Sequence, residues 1–150
     1  MRRFLSLVAL SLFALSVNAE QTCKTVEGHF EASVVPPGVA FCPASVPLCT
    51  EGRVWGGIQG SYQFVMSGLL PSSAIGGVPT VFFFAGKSTV SLKSGDQIIG
   101  TDTGSIDLSP AGGFASLITF DGGGQIRLRG HFDGVAGTTS GDYNGTACTP

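Results

Sequence analysis

Charge is scarce in this chain. Asp, Glu, Lys and Arg together make up 12% of its 150 residues, and the basic ones are scattered. Nucleic acid and anionic membranes reward clustered Lys and Arg, so neither is an expected partner. Helical periodicity is missing throughout. The short motifs of common catalysts are missing too: there is no Gly-x-Ser-x-Gly elbow, no His-Glu-x-x-His pair, no Gly-x-x-x-x-Gly-Lys phosphate loop and no dinucleotide fingerprint ahead of a helix. The four cysteines and two histidines supply no closely spaced ligand pairs, so neither a metal nor an organic cofactor is expected. Gly56-Gly57-Ile58-Gln59-Gly60 reads as glycine within a strand.

What the chain has is glycine, phenylalanine and alternation. It carries 23 glycines and 11 phenylalanines, with apolar residues recurring every second position over most of its length. That combination points to a compact all-β protein and away from disorder.

Met1–Ala19 reads as a secretory signal peptide. Arg2 and Arg3 form a basic start, Phe4–Val17 an apolar run too short for a spanning helix, and Val17-Asn18-Ala19 a small-residue cleavage site. The expected mature protein starts at Glu20 and is soluble, secreted or periplasmic, and free of the membrane once cleaved. It has 131 residues, which as one domain buries roughly two-thirds of its unfolded surface. Without Arg2 and Arg3 the eight basic residues become six against ten acidic, and the formal charge moves from −2 to −4.

In an exported chain four cysteines read as two disulfides, with three pairings open. Cys42 and Cys49 bracket a short proline-rich loop, and Cys23 and Cys148 lie near the two ends. The favoured pairing is 42–49 with 23–148, the second tying the terminal strands together.

In chain order, Thr25–Val34 alternates as a first strand with one wet face, and Pro36-Pro37-Gly38 ends it. Val39–Thr50 reads as a surface flap held by the Cys42–Cys49 bridge. Arg53–Met66 reads as one long strand in which Gly56 and Gly60 bend the chain. Pro71–Gly77 is a loop. Val81-Phe82-Phe83-Phe84 is apolar on both faces, so the outer one, Val81 and Phe83, needs a cover: the flap, a terminal segment or a second copy of the chain. Ser88–Leu92 continues as strand, Ser94-Gly95-Asp96 turns, Gln97–Leu108 runs back, and Asp142–Cys148 closes the chain after a small-residue loop at Gly134–Gly141.

The segment around which these are arranged is Phe114–Asp133, a hairpin. A three-residue loop, Asp121-Gly122-Gly123, brings Ile118 opposite Ile126 and Ser116 opposite Leu128, keeping the apolar sets on one face. One more loop residue would oppose Ile118 to Arg127. The reading is about eight short antiparallel strands joined by tight turns. Such a meander has two free edges, and closing it into a small barrel removes both. A two-sheet sandwich is the alternative architecture.

Gly122-Gly123-Gly124-Gln-Ile-Arg-Leu-Arg-Gly130, with Ala115–Phe120 before it, Asp142-Tyr143-Asn144 after it and Gly104–Leu108 upstream, resembles the Gly-Gly-Thr-Gly hairpin of the dirigent and allene oxide cyclase-like barrel superfamily. The likeness covers about the C-terminal third. It implies an eight-stranded barrel whose lumen holds a small hydrophobic molecule, with some members steering a cyclisation or radical coupling without a cofactor, often as trimers. It also implies that Arg127 or Arg129 is the arginine near the lumen.

Arg127, Arg129 and His131 are the candidate catalytic residues, an arginine to stabilise developing negative charge and a histidine to move a proton. The same alternation equally suits a wet outer face. Candidate ligand contacts are Tyr62, Phe64, Phe82, Phe84 and Phe120. Asp102 and Asp107, of opposite parity, read as surface carboxylates, Tyr143 as packing, and Trp55 as cover beneath the flap. The function that follows is binding of a small hydrophobic or aromatic molecule; the alternative is a non-catalytic secreted structural or interaction protein. Val81–Phe83 is the expected homo-oligomer face.

Overall fold

Period-two alternation closes this molecule on itself. The computed structural model describes residues 22–72, 78–110 and 112–149, and the signal-peptide reading of Met1–Ala19 lies outside them, as does most of the Pro71–Gly77 loop. Eight strands follow one another: β1 (Thr22–Val35), β2 (Cys49–Gly56), β3 (Gly60–Pro71), β4 (Val81–Leu92), β5 (Gln97–Asp107), β6 (Gly113–Phe120), β7 (Gly124–Asp133) and β8 (Thr138–Thr149). Each pairs antiparallel with the next, and β8 pairs with β1, giving a closed barrel with no free edge. No helix occurs among the described residues.

The β6–β7 hairpin has the expected register, Ile118 opposite Ile126 and Ser116 opposite Leu128. Its loop turns on Gly123, whose φ of 94° suits a residue without Cβ, and the Gly123 N–H bonds back to the Phe120 carbonyl at 3.0 Å. Arg53–Met66 is not one strand. The chain reverses at Gly57–Gln59, Val54 pairs with Gly60, and Gly56 takes a φ of 112°. Gly56 and Gly60 are therefore hairpin glycines, and β2 begins at Cys49, inside the segment read as flap. At the other end of the chain β8 starts at Thr138, four residues before the expected strand.

Both disulfides join the favoured partners. Cys23 and Cys148 face each other directly across the β1–β8 seam. Cys42–Cys49 holds residues 36–48 as a flap over one end of the barrel, with Val35, Phe41, Val46 and Val65 packed around the bridge. The Met66 N–H donates to the Leu48 carbonyl at 3.0 Å, which ties the flap to β3.

The lumen is filled from the end opposite the flap. Val26, Ile58, Val90, Ile118, Phe120, Ile126 and Ala147 pack with Phe30 and Leu128 into one apolar core. Burying a side chain such as Phe30 contributes about 1.5–3 kcal/mol. At the closed end the hairpin turn between β2 and β3 tucks Ile58 inward under Tyr143 of β8. The Tyr143 hydroxyl accepts the Ile58 N–H at 2.7 Å and donates to the Ile58 carbonyl at 3.1 Å. Tyr143 can lie across the sheet there because its partner on β1 is Gly28, where a Cβ would stand 2.6 Å from the phenol oxygen.

The apolar outer face read at Val81 and Phe83 is present. Phe83 is 54% exposed, and its neighbour across the β3–β4 ladder is Leu70, 69% exposed. The flap sits over the barrel's end and leaves this pair open.

Candidate functional site

Alternation on all eight strands sends a ring of side chains into the flap end of the lumen. Between them lies a cavity of about 270 Å³, lined by Phe30, Tyr62, Phe64, Met66, Phe84, Phe114, Leu128 and Phe132 at its sides and by Pro47, Leu48, Leu69 and Leu108 toward the mouth. A bulge between Met66 and Gly68 switches the parity of β3, so Leu69 reaches the cavity rim. Phe30 meets Phe114 edge-on with centroids 5.7 Å apart, and Phe64 meets Phe84 in the same way at 5.7 Å. The aromatic walls are thus locked against one another, a geometry that favours a preformed space over collapse.

The cavity wall holds one ionisable acid, Asp102 on β5. It is 2% exposed. Its Oδ2 accepts a hydrogen bond from the Ser88 hydroxyl at 2.9 Å, and Ser88 Oγ lies 3.1 Å from the Tyr62 hydroxyl. Ser88 has one proton and gives it to Asp102, so Tyr62 is the donor to Ser88 and the order is Tyr62 to Ser88 to Asp102. Oδ1 of Asp102 is buried with no hydrogen-bond partner among the described residues. Burial raises the Asp102 pKa above the ordinary carboxylate value, with the surrounding hydroxyls of Ser88, Ser116 and Tyr62 pulling the other way. Tyr62, enclosed beside that acid, is raised far above an ordinary phenol, chiefly by burial.

Asp102 is the residue that sequence reasoning placed wrongly. It was expected on the surface with Asp107. Their opposite parity is real, but Asp102 is the one that turns inward, sharing its face with Gly100 and Gly104. The signal was available, because Ile98, Gly100, Gly104 and Ile106 share its parity and Ile98 and Ile106 both meet the lumen. Asp107 instead accepts the Ser109 N–H at 3.0 Å in the turn after β5, which holds its carboxyl below the usual range.

Of the candidate ligand contacts, Tyr62, Phe64 and Phe84 line the cavity. Phe82 is half-buried and is not part of the lining, and Phe120 belongs to the packed core at the closed end. Arg127, Arg129 and His131 do not reach the lumen. They alternate with Ile126, Leu128 and Phe132 and stand on the exposed outer face of β7. The reason is the register itself: a one-residue alternation that buries Ile126 and Leu128 must expose the arginines between them. His131 is held there by a 2.7 Å hydrogen bond from its Nδ1 to the Gly112 carbonyl. Trp55 is not beneath the flap either. It is 42% exposed on the outer face of β2, its ring 6.0 Å from that of His29, which pairs with Asp142. Val54 and Ile58, of opposite parity to Trp55, take the inward positions.

Nothing matches this chain among family models, curated proteins or solved structures.

Proposed function

We propose that this chain is an exported barrel that holds one small hydrophobic or aromatic molecule in its lumen and steers its cyclisation or coupling, the activity implied by the resemblance of its C-terminal third to the dirigent and allene oxide cyclase-like barrels. The observation that carries the reading is the cavity of about 270 Å³ walled by interlocked phenylalanines. A dry apolar cavity of about 150 Å³ is enough to take benzene, so this one has room for a fused pair of rings, or for one ring with a short chain. The two disulfides are compatible with an oxidising compartment, and they support secretion. With Arg127 and Arg129 outside the barrel, the polar groups available to a lumenal substrate are Asp102, the Tyr62 and Ser116 hydroxyls, and Thr50 and Thr139.

Calorimetric titration with toluene and with naphthalene tests the binding step. The intact protein is expected to bind both, and Thr50→Phe, which plugs the cavity from β2, is expected to bind neither. Absence of binding to the intact protein would overturn the reading.

A non-catalytic interaction protein is the second reading, supported by the open Leu70–Phe83 pair beside Val81. On either reading that face is the one proposed to meet a second copy of the chain.

A further inference from the structure

The lumen contains an acid without a base. Asp102 lines the cavity, is almost wholly buried, and has one oxygen bonded by Ser88 and the other without a hydrogen-bond partner among the described residues. Every Lys, Arg and His among the described residues is exposed. Of the described titratable side chains only Tyr62, Asp102 and Tyr143 are buried, and Tyr143 is occupied at the closed end. A buried polar atom left unpaired costs free energy, and a buried carboxylate without a cation costs more. The donor order from Tyr62 through Ser88 makes Oδ2 an acceptor and leaves Oδ1 as the oxygen without a partner among the described residues, the one that a ligand's donor would satisfy.

The rest of the wall is informative about what that partner is. Phe30, Phe64, Phe84 and Phe114 surround the same space as two edge-to-face pairs. Aromatic faces carry negative potential, and an aromatic enclosure joined by a carboxylate suits an ammonium group, which gains from the π faces and from the charge together. An anionic ligand meets the opposite situation, since it would bring a second negative charge into a dry cavity with no cation.

Taking the proposed lumenal binding as its basis, we infer that the ligand is a small apolar amine, its ammonium on Asp102 Oδ1 and its hydrocarbon or aromatic body against the phenylalanine walls. Oδ1 accepts from the ammonium while Oδ2 keeps the Ser88 hydrogen bond, so the whole chain of donors is retained on binding. The site discriminates by the group the ligand brings to Oδ1: a hydrocarbon leaves that oxygen unpaired, an alcohol gives it only a neutral donor, and an ammonium gives it a donor and the opposite charge together.

The test uses three probes of one shape, 2-phenylethylamine, 2-phenylethanol and phenylacetate, titrated calorimetrically into the disulfide-intact protein at pH 7, with toluene as the hydrocarbon control. The amine is expected to bind at least tenfold more tightly than the alcohol, and phenylacetate more weakly than either. Asp102→Asn is expected to bring the amine down to the affinity of the alcohol, while toluene, which makes no polar contact with residue 102, binds as it does to the wild type. Equal binding of amine and alcohol by the wild type, or retention of the amine preference in Asp102→Asn, would overturn the inference while leaving toluene binding, and with it lumenal binding, intact. Failure of all four probes would overturn both. The wild-type ratio of amine to alcohol decides the matter even where the variant does not fold.

Discussion

The Tyr143 hydroxyl receives the backbone N–H of Ile58 at 2.7 Å across a sequence distance of 85 residues. One phenol on the last strand thereby fixes the first tight hairpin of the barrel and closes the end of the lumen opposite the cavity. Tyr143→Phe keeps the ring and leaves the Ile58 N–H buried without a partner. The variant is expected to be about 1–3 kcal/mol less stable, read as a lower midpoint in urea with an unchanged slope. An unchanged midpoint would mean that the bond contributes nothing net.

Gly86 on β4 is the floor on which Phe64 rests. A Cβ there would stand 2.3 Å from Cε2 of that ring and 2.4 Å from the Val65 carbonyl oxygen. Gly86→Ala should cost about 1–3 kcal/mol by overpacking and push Phe64 toward the cavity. The expected result is a lower melting temperature together with weaker naphthalene binding; stability lost with binding retained would show that Phe64 moves elsewhere.

The two disulfides differ in what they constrain. Cys23–Cys148 spans 125 residues and Cys42–Cys49 spans 7. On the chain-entropy model the long loop contributes on the order of 5 kcal/mol and the short one about 2. The double serine variant at 23 and 148 is therefore expected to lose more stability. The double serine variant at 42 and 49 should show its larger effect on ligand release, because the flap carries Pro47 and Leu48 onto the cavity. Stopped-flow release rates compared with denaturation midpoints separate the two.

Asp102 gives stability an unusual slope with pH. Its folded pKa is raised by burial, so between the unfolded value, about 3.9, and the folded one the native state holds the proton more tightly than the unfolded chain does. The contribution is fully present below the unfolded pKa and is lost as pH rises through the folded pKa. Asp107 and Asp133, whose pKa values are lowered by turn N–H groups, act in the opposite sense, losing their contribution as pH falls. The difference between wild type and Asp102→Asn isolates the buried acid. It should favour the wild type most at low pH and shift toward the variant as pH rises. A difference that is flat with pH would place Asp102 at its ordinary pKa.

Phe83→Lys tests the outer apolar face. If Val81, Phe83 and Leu70 join two copies, the variant is expected to sediment as a smaller species at the same concentration, with its cavity and ligand binding unaltered. An unchanged mass would remove this face as the self-contact.

Much of the fold was legible because its rules are local. The Phe114–Asp133 register follows from loop length and alternation alone, and the cysteine spacing led to the favoured pairing. The reversal at Gly57–Gln59 was hidden because Val54, Ile58 and Tyr62 keep one parity across the turn, so the apolar pattern runs through it unbroken. The site was less legible for a different reason. Arg127 and Arg129 resemble chemistry in the sequence, while their own alternation with Ile126 and Leu128 sends them outside. Asp102 resembles a surface acid until its flanking inward positions on β5 are weighed against its charge. Parity places a side chain on one face or the other, and only closure of the sheet decides that this face is a lumen.

The seam between Thr22–Ser33 and Thr138–Thr149 has a consequence for biogenesis. A barrel whose first strand pairs with its last cannot shut while the C-terminal segment is still being synthesised. Until then the chain is an open meander with two unpaired borders and its phenylalanines uncovered, a state prone to stick to its neighbours. The Cys23–Cys148 bridge is then a clasp applied last, because its two sulfurs meet only when the first and last strands lie side by side, the moment at which this protein stops being a sheet and acquires an inside.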